Sequence, residues 1–292
     1  MASKARTRPE APDEAVGVSL EAAIKEDSYI KLSARDGILS NTLPKEFLDR
    51  FEVHSYRNAS NILASANAKE LSELVESLME FRITMNEIIT PGGNKSIIAK
   101  NMDTLLVPKG WYESRITGDL IVKKTTNLPD ATKRKKGEKK VPDEKLYKVE
   151  NYIDGHKIDF VKNRVAFDME WNSKDQTFDR DLYAVRTFYE CGIVDAGVLL
   201  TRSASLGKVF AEIGSRGDIK DFKSKYGAST TWMGKLLYRL DAGRGGGCPV
   251  LAIGITPAVI EDFEDWKSAH PEIKREMAAD ELIKESGEEE DE

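Results

Sequence analysis

The sequence predicts an α/β protein with a central mixed β-sheet flanked by helices. Two short apolar runs, 192–201 (GIVDAGVLLT) and 250–255 (VLAIGI), carry almost no charge and read as strands covered on both faces. Residues 156–171 alternate apolar and polar side chains on either side of a turn at Lys162-Asn163, which gives two more strands. Helical patterns over 181–190 and 231–240 separate these runs, and strands with helices between them form a layered sheet.

The elements follow in order. Residues 1–18 mix Ala, Pro and charge without a period and are expected to be disordered. From 44 to about 85 the pattern is helical, with Leu71, Leu74, Val75, Leu78 and Met79 forming one stripe. Pro91-Gly92-Gly93 is a turn, and a helix over 95–106 follows, ended by Pro108 and Gly110. Residues 123–148 are poor in apolar side chains and read as a loop or insertion. They include Lys133-Arg134-Lys135-Lys136-Gly137-Glu138-Lys139-Lys140, six basic residues to one acidic. The whole is expected to be one domain over 19–278, with this basic loop near 128–145 and an acidic, disordered end at 279–292.

Composition narrows the function classes. No run approaches the roughly 18 apolar residues of a membrane span, and the first residues lack a secretory apolar core. Two cysteines, Cys191 and Cys248, make no disulfide framework, so a reduced, cytoplasmic protein is expected. The scattered His54, His156 and His270 disfavour a histidine-rich zinc site. A net charge of −6 argues against nucleic acid only until it is located. Residues 280–292 hold eight acids and one lysine, so the remainder carries +1.

The chemistry concentrates in 158–171. Strand alternation puts Val165, Phe167, Met169 and Trp171 on one face and Ala166, Asp168 and Glu170 on the other. Two carboxylates on one face of a covered strand are costly unless something compensates them. A shared Mg²⁺ would do so, since it prefers oxygen ligands and uses one or two carboxylates together with phosphate oxygens. Asp159, at the end of the preceding strand, adds a third carboxylate once the hairpin turns back. Such a pocket suits metal-assisted phosphodiester hydrolysis, with Asp159 and Asp168 as ligands and Glu170 binding a second ion or orienting water. A structural carboxylate cluster, or a solvated strand edge, explains the same residues on spacing alone.

The pattern Asp159-x8-Asp168-x-Glu170 resembles the PD-(D/E)xK nuclease signature. More narrowly, four blocks in order resemble the BglII/BstYI group of type II restriction endonucleases. These are Gly-Trp-Tyr-Glu-Ser at 110–114, Asp159 to Glu170, Ile-Val-Asp-Ala-Gly-Val at 193–198, and Gly243-Arg244-Gly245 followed by 249–257. The resemblance spans roughly 86–257. It implies a homodimeric, Mg²⁺-dependent enzyme that cuts both strands of a short palindromic site in double-stranded DNA. It places Asp159 on the first metal-binding acid and Asp168 on the second, with Met169 offering its backbone carbonyl. Glu170 stands where many relatives of this superfamily carry Lys, and Glu113 corresponds to an additional polar group near the site.

Several basic or polar residues are candidates for DNA contact. Lys162 and Arg164 flank the hairpin turn, Asn94 and Lys95 open a helix whose N-terminus can meet phosphate, and Arg244 lies between glycines. Lys133 and Arg134 belong to the basic run. The other reading is a non-catalytic or structure-selective DNA-binding protein of the same nuclease fold.

Overall fold

The computed structural model describes residues 39–90, 96–126, 143–216, 222–227 and 229–272. Among them are six strands: β1 (Phe51–Tyr56), β2 (Tyr112–Thr126), β3 (Asp143–Lys162), β4 (Val165–Glu170), β5 (Ala196–Arg202) and β6 (Val250–Ile255). They lie in one mixed sheet in the order β1-β6-β5-β4-β3-β2. β4, β5 and β6 are parallel, while β1, β3 and β2 run antiparallel to their neighbours. β4, β5 and β6 are buried at every residue; β5 and β6 accordingly read in sequence as nearly unbroken apolar runs, whereas β4 carries Asp168 and Glu170 among its apolar residues.

Ten helices accompany the sheet among the described residues. α1 (Lys45–Arg50), α2 (Ala59–Ala66), α3 (Ala68–Glu80), α4 (Met85–Ile89) and α5 (Ile97–Leu106) precede β2. α6 (Thr177–Glu190) joins β4 to β5, α7 (Leu206–Arg216), α8 (Phe222–Lys225) and α9 (Met233–Asp241) join β5 to β6, and α10 (Phe263–Ala269) follows β6. None is long and apolar enough to cross a membrane.

The pleat divides the interior into two cores. Val165, Phe167, Met169 and Trp171 of the β4 region meet Val198, Leu200 and the apolar stripe of α3 on one face. Ala166 and Leu199 meet Phe178, Leu182 and Val185 of α6 and Leu236 and Leu240 of α9 on the other. The alternation expected for residues 165–171 is therefore observed, and it aims Asp168 and Glu170 toward the α6 side. Gly197 lets α6 approach, because a Cβ there would lie 2.4 Å from Val185 Cγ1.

Two expectations need correction. The stretch 44–85 is not helical throughout, since Phe51–Tyr56 pairs with β6 as an edge strand, Phe51 opposite Ile255. Buried Phe51, Val53 and Ser55 alternate there with half-buried Glu52 and His54, a period of two hidden between helices. Nor are 123–126 and 143–148 loop. They pair with each other, Lys123 opposite Leu146 and Lys124 opposite Lys145, in a long β2–β3 ribbon. Only Phe160, Val161 and Lys162 of β3 pair with β4, so the ribbon leaves the sheet; it is exposed on both faces over 121–125 and 143–152, while Ser114, Ile116, Gly118 and Leu120 of β2 stay half-buried. That exposure explains its charge-rich composition. The basic run with Lys133 and Arg134, and also Asn94 and Lys95, lie outside the described residues. So do residues 1–18 and 279–292. The cap observed on α5 is Ser96, whose hydroxyl accepts from Ala99 N at 3.1 Å.

Candidate active site

The site forms where β3 parts from β4. Pairing between these strands stops at Phe160–Phe167, and the next backbone donor, Asp159 N, instead donates to Asp168 Oδ1 at 2.7 Å. Asp168 is 5% exposed, and its second oxygen, Oδ2, is buried with no hydrogen-bond partner. Asp159 itself is exposed. Two residues on, Glu170 is 8% exposed, and its carboxylate receives Arg180 Nη2 at 3.2 Å. Glu170's backbone carbonyl is held by the hydroxyls of Thr201 at 2.8 Å and Thr231 at 3.3 Å, which fixes the end of β4.

The sequence reading missed two residues of this cluster, both on α6. Arg180 Nε and Nη2 donate to Asp181 Oδ1 at 3.0 and 2.8 Å, and Asp181 is buried beside Glu170. The signal was present: Phe178, Leu182, Val185 and Phe188 mark the buried stripe of α6, and Asp181 falls on it by i, i+3 spacing. Starting the helix at 181 rather than at Thr177 concealed that register.

Burial and mutual repulsion dominate the electrostatics. Removal from water, and then the nearby Asp159 charge, push the Asp168 carboxyl up to about 8. Burial, reinforced by Asp168 and Glu170, pushes Asp181 up to about 9. Glu170 is raised by burial as well, with Ser173 and Arg180 opposing the rise. Arg180 is the cation facing this group: burial works against its charge, but Asp181 and Glu170 overcome that and hold it protonated.

The donor set suits a hard divalent cation. It is all oxygen, and two buried carboxylate oxygens, on Asp168 and Asp181, lack any donor. Among the described residues, however, no three His, Cys, Asp or Glu side chains converge on one point able to hold a metal ion. The closed three-carboxylate pocket expected from Asp159, Asp168 and Glu170 is thus not formed. Any ion held here would take a few protein oxygens and complete its shell from water or phosphate, a normal arrangement for Mg²⁺.

The remaining expected residues are dispersed. Glu113 is exposed on β2 and paired to Lys157 at 2.7 Å. Met169 turns its side chain into the core opposite α6, leaving only backbone for the site. Lys162 does not face solvent as a phosphate contact would. Its ammonium is shared by Glu73 Oε1 and Oε2, at 2.7 and 2.5 Å, and by Lys109 O at 2.6 Å. Arg164 is paired to Asp195 at 2.6 Å, in the turn at the far end of β4 from Glu170. Arg244 pairs with Asp179, in the first turn of α6.

One family description, restriction endonuclease BglII/BglIII, matches residues 51–255. The chain belongs to this family. The match begins at the first residue of β1 and ends at the last residue of β6, so it covers the sheet and everything between its edges. No curated protein matches the chain. Membership in the BglII/BglIII family makes the protein a nuclease-type enzyme with a restriction-endonuclease-like core, and it gives the acidic end of β4 a chemical context.

Proposed function

We propose that the protein is a Mg²⁺-dependent type II site-specific deoxyribonuclease. It would hydrolyse phosphodiester bonds in both strands of a short palindromic double-stranded DNA site. The observation that carries this reading is Asp168, a buried carboxylate with one oxygen tied to a backbone amide and the other undonated, on the sheet of a restriction-endonuclease family member.

In this reading Asp159 and Asp168 hold the divalent ion, with the Met169 carbonyl beside them. When bound, the ion lowers the pKa of water and offsets charge building on phosphorus. The chain's own residues do the rest. The Asp159 amide fixes the rotamer of Asp168 through Oδ1, so that Oδ2 is left free of a donor inside the site. Glu170, clamped through its carbonyl by Thr201 and Thr231, orients the attacking water and receives its proton. Arg180 limits the repulsion among the acids. Glu113, across the irregular start of the β2–β3 pairing, is the outlying acid, and Arg244 and Arg164, each half-exposed and paired to an aspartate, would exchange those partners for phosphate. A palindromic site is matched by a two-fold homodimer, each copy cutting one strand.

The test is digestion of plasmid and phage DNA with the protein and Mg²⁺. Discrete, reproducible fragments are expected. Asp168→Asn is expected to keep DNA binding and to lose cleavage by on the order of a hundredfold or more, the scale of removing one pre-positioned electrostatic group. Sequence-specific retention without hydrolysis under any divalent ion would favour a non-catalytic binder, and preference for branched DNA a structure-selective enzyme.

A further inference from the structure

The stripe of α6 that packs on the sheet is Phe178, Asp181, Leu182, Val185 and Phe188. Asp181 is its single charged member and is 2% exposed, deeper than Asp168 or Glu170. A carboxylate in such a place needs its charge compensated. Arg180 compensates half of it, since both of its donors go to Oδ1, while Oδ2 is buried without an N–H or hydroxyl donor and the Glu170 carboxyl is the other group hydrogen-bonded to this side chain. Asp168 repeats the arrangement from the opposite element: Oδ1 takes the Asp159 amide and Oδ2 takes nothing. Each aspartate therefore has one oxygen anchored and one left over, and the two carboxylates interact. A partner for Arg180 alone would not require this, because a half-exposed guanidinium is neutralised as well by a surface acid.

We propose that Asp181 is a cation-binding residue of the site, taking a divalent ion jointly with Asp168 through the two undonated Oδ2 oxygens. α6 thereby contributes a ligand that the acidic strand does not carry. Arg180 holds the Asp181 carboxylate in register and is a positioning residue. The proposal rests on the Mg²⁺-dependent nuclease reading and adds to its ligand set.

The experiment measures Mn²⁺ binding to the full chain without DNA, by calorimetry and by the ion-induced rise in melting temperature. Wild type, Asp168→Asn and Asp181→Asn are compared, and each is also melted without metal. Asp181→Asn is expected to weaken Mn²⁺ binding by about tenfold or more, since even outer partners of a ligand are worth 10–100-fold. Its metal-free melting temperature is expected to equal or exceed wild type, because one of several crowded buried acids is gone. Undiminished Mn²⁺ binding in Asp181→Asn, alongside loss in Asp168→Asn, overturns the proposal and leaves the nuclease reading intact. A metal-free collapse of Asp181→Asn also overturns it, making the residue a structural partner of Arg180. If wild type neither binds Mn²⁺ nor cuts DNA, the nuclease reading itself fails.

Discussion

Asp168, Glu170 and Asp181 sit close enough that their charges oppose one another in the dry space between β4 and α6. Their raised pKa values carry a sign for stability. Between the ordinary carboxylate range, near about 4, and the values of about 8 for Asp168 and about 9 for Asp181, the folded chain binds more protons than the unfolded one. Metal-free protein is therefore expected to lose stability as pH rises through that window. Denaturant titrations at pH 5.5 and 8, identical but for pH, check this, and added Mg²⁺ should reduce the difference. Lys162 gives a second residue-scale prediction. Removing it leaves Glu73 mostly buried with only the Trp111 indole donor, so Lys162→Ala should cost about 2–3 kcal/mol, discounted for partial exposure. The salt dependence of DNA binding should be unchanged in that variant. A slope smaller by about 0.9 would instead make Lys162 a phosphate contact.

At the scale of elements, the distance between α6 and the sheet decides whether Asp181 meets Asp168. Gly197 sets it. Gly197→Val would drive a branched side chain into Val185, with an expected overpacking cost of about 1–3 kcal/mol and a displaced α6. Thermal melting should register the first effect, and a cleavage rate falling further than stability explains should register the second. The buried strands were readable because burial on both faces leaves an apolar run: 250–255 is β6 as observed, and 156–171 folds as two strands around a turn one residue later than expected. β1 was not readable, because its six residues sit between helical signals and only half of its alternation is apolar. The ribbon was not readable for the opposite reason. Its outer part is exposed on both faces and so carries no apolar alternation, and backbone pairing leaves no mark on composition.

For the whole molecule, net charge misleads unless it is placed. The last thirteen residues carry −7 of a chain whose total is −6. Removing 280–292 is expected to raise affinity for nonspecific DNA and to leave the melting temperature unchanged, which filter binding at two salt concentrations and calorimetry would check. The site was half legible on the same terms. Asp159, Asp168 and Glu170 announce themselves as acids near one hairpin. Asp181 and Arg180 arrive from another element, and their proximity exists only once α6 is laid across β4.

β3 spans Asp143 to Lys162, but only its last three residues pair with β4; the rest pairs with β2 through register shifts, with Asn151 at a positive φ of 52°. The amide that occupies half of Asp168 thus belongs to the same strand as the projecting arm. A load applied close to Asp159 would bear on the peptide that sets the aspartate's rotamer, whereas the bulges and the left-handed turn at Asn151 lie between that peptide and the outer ribbon.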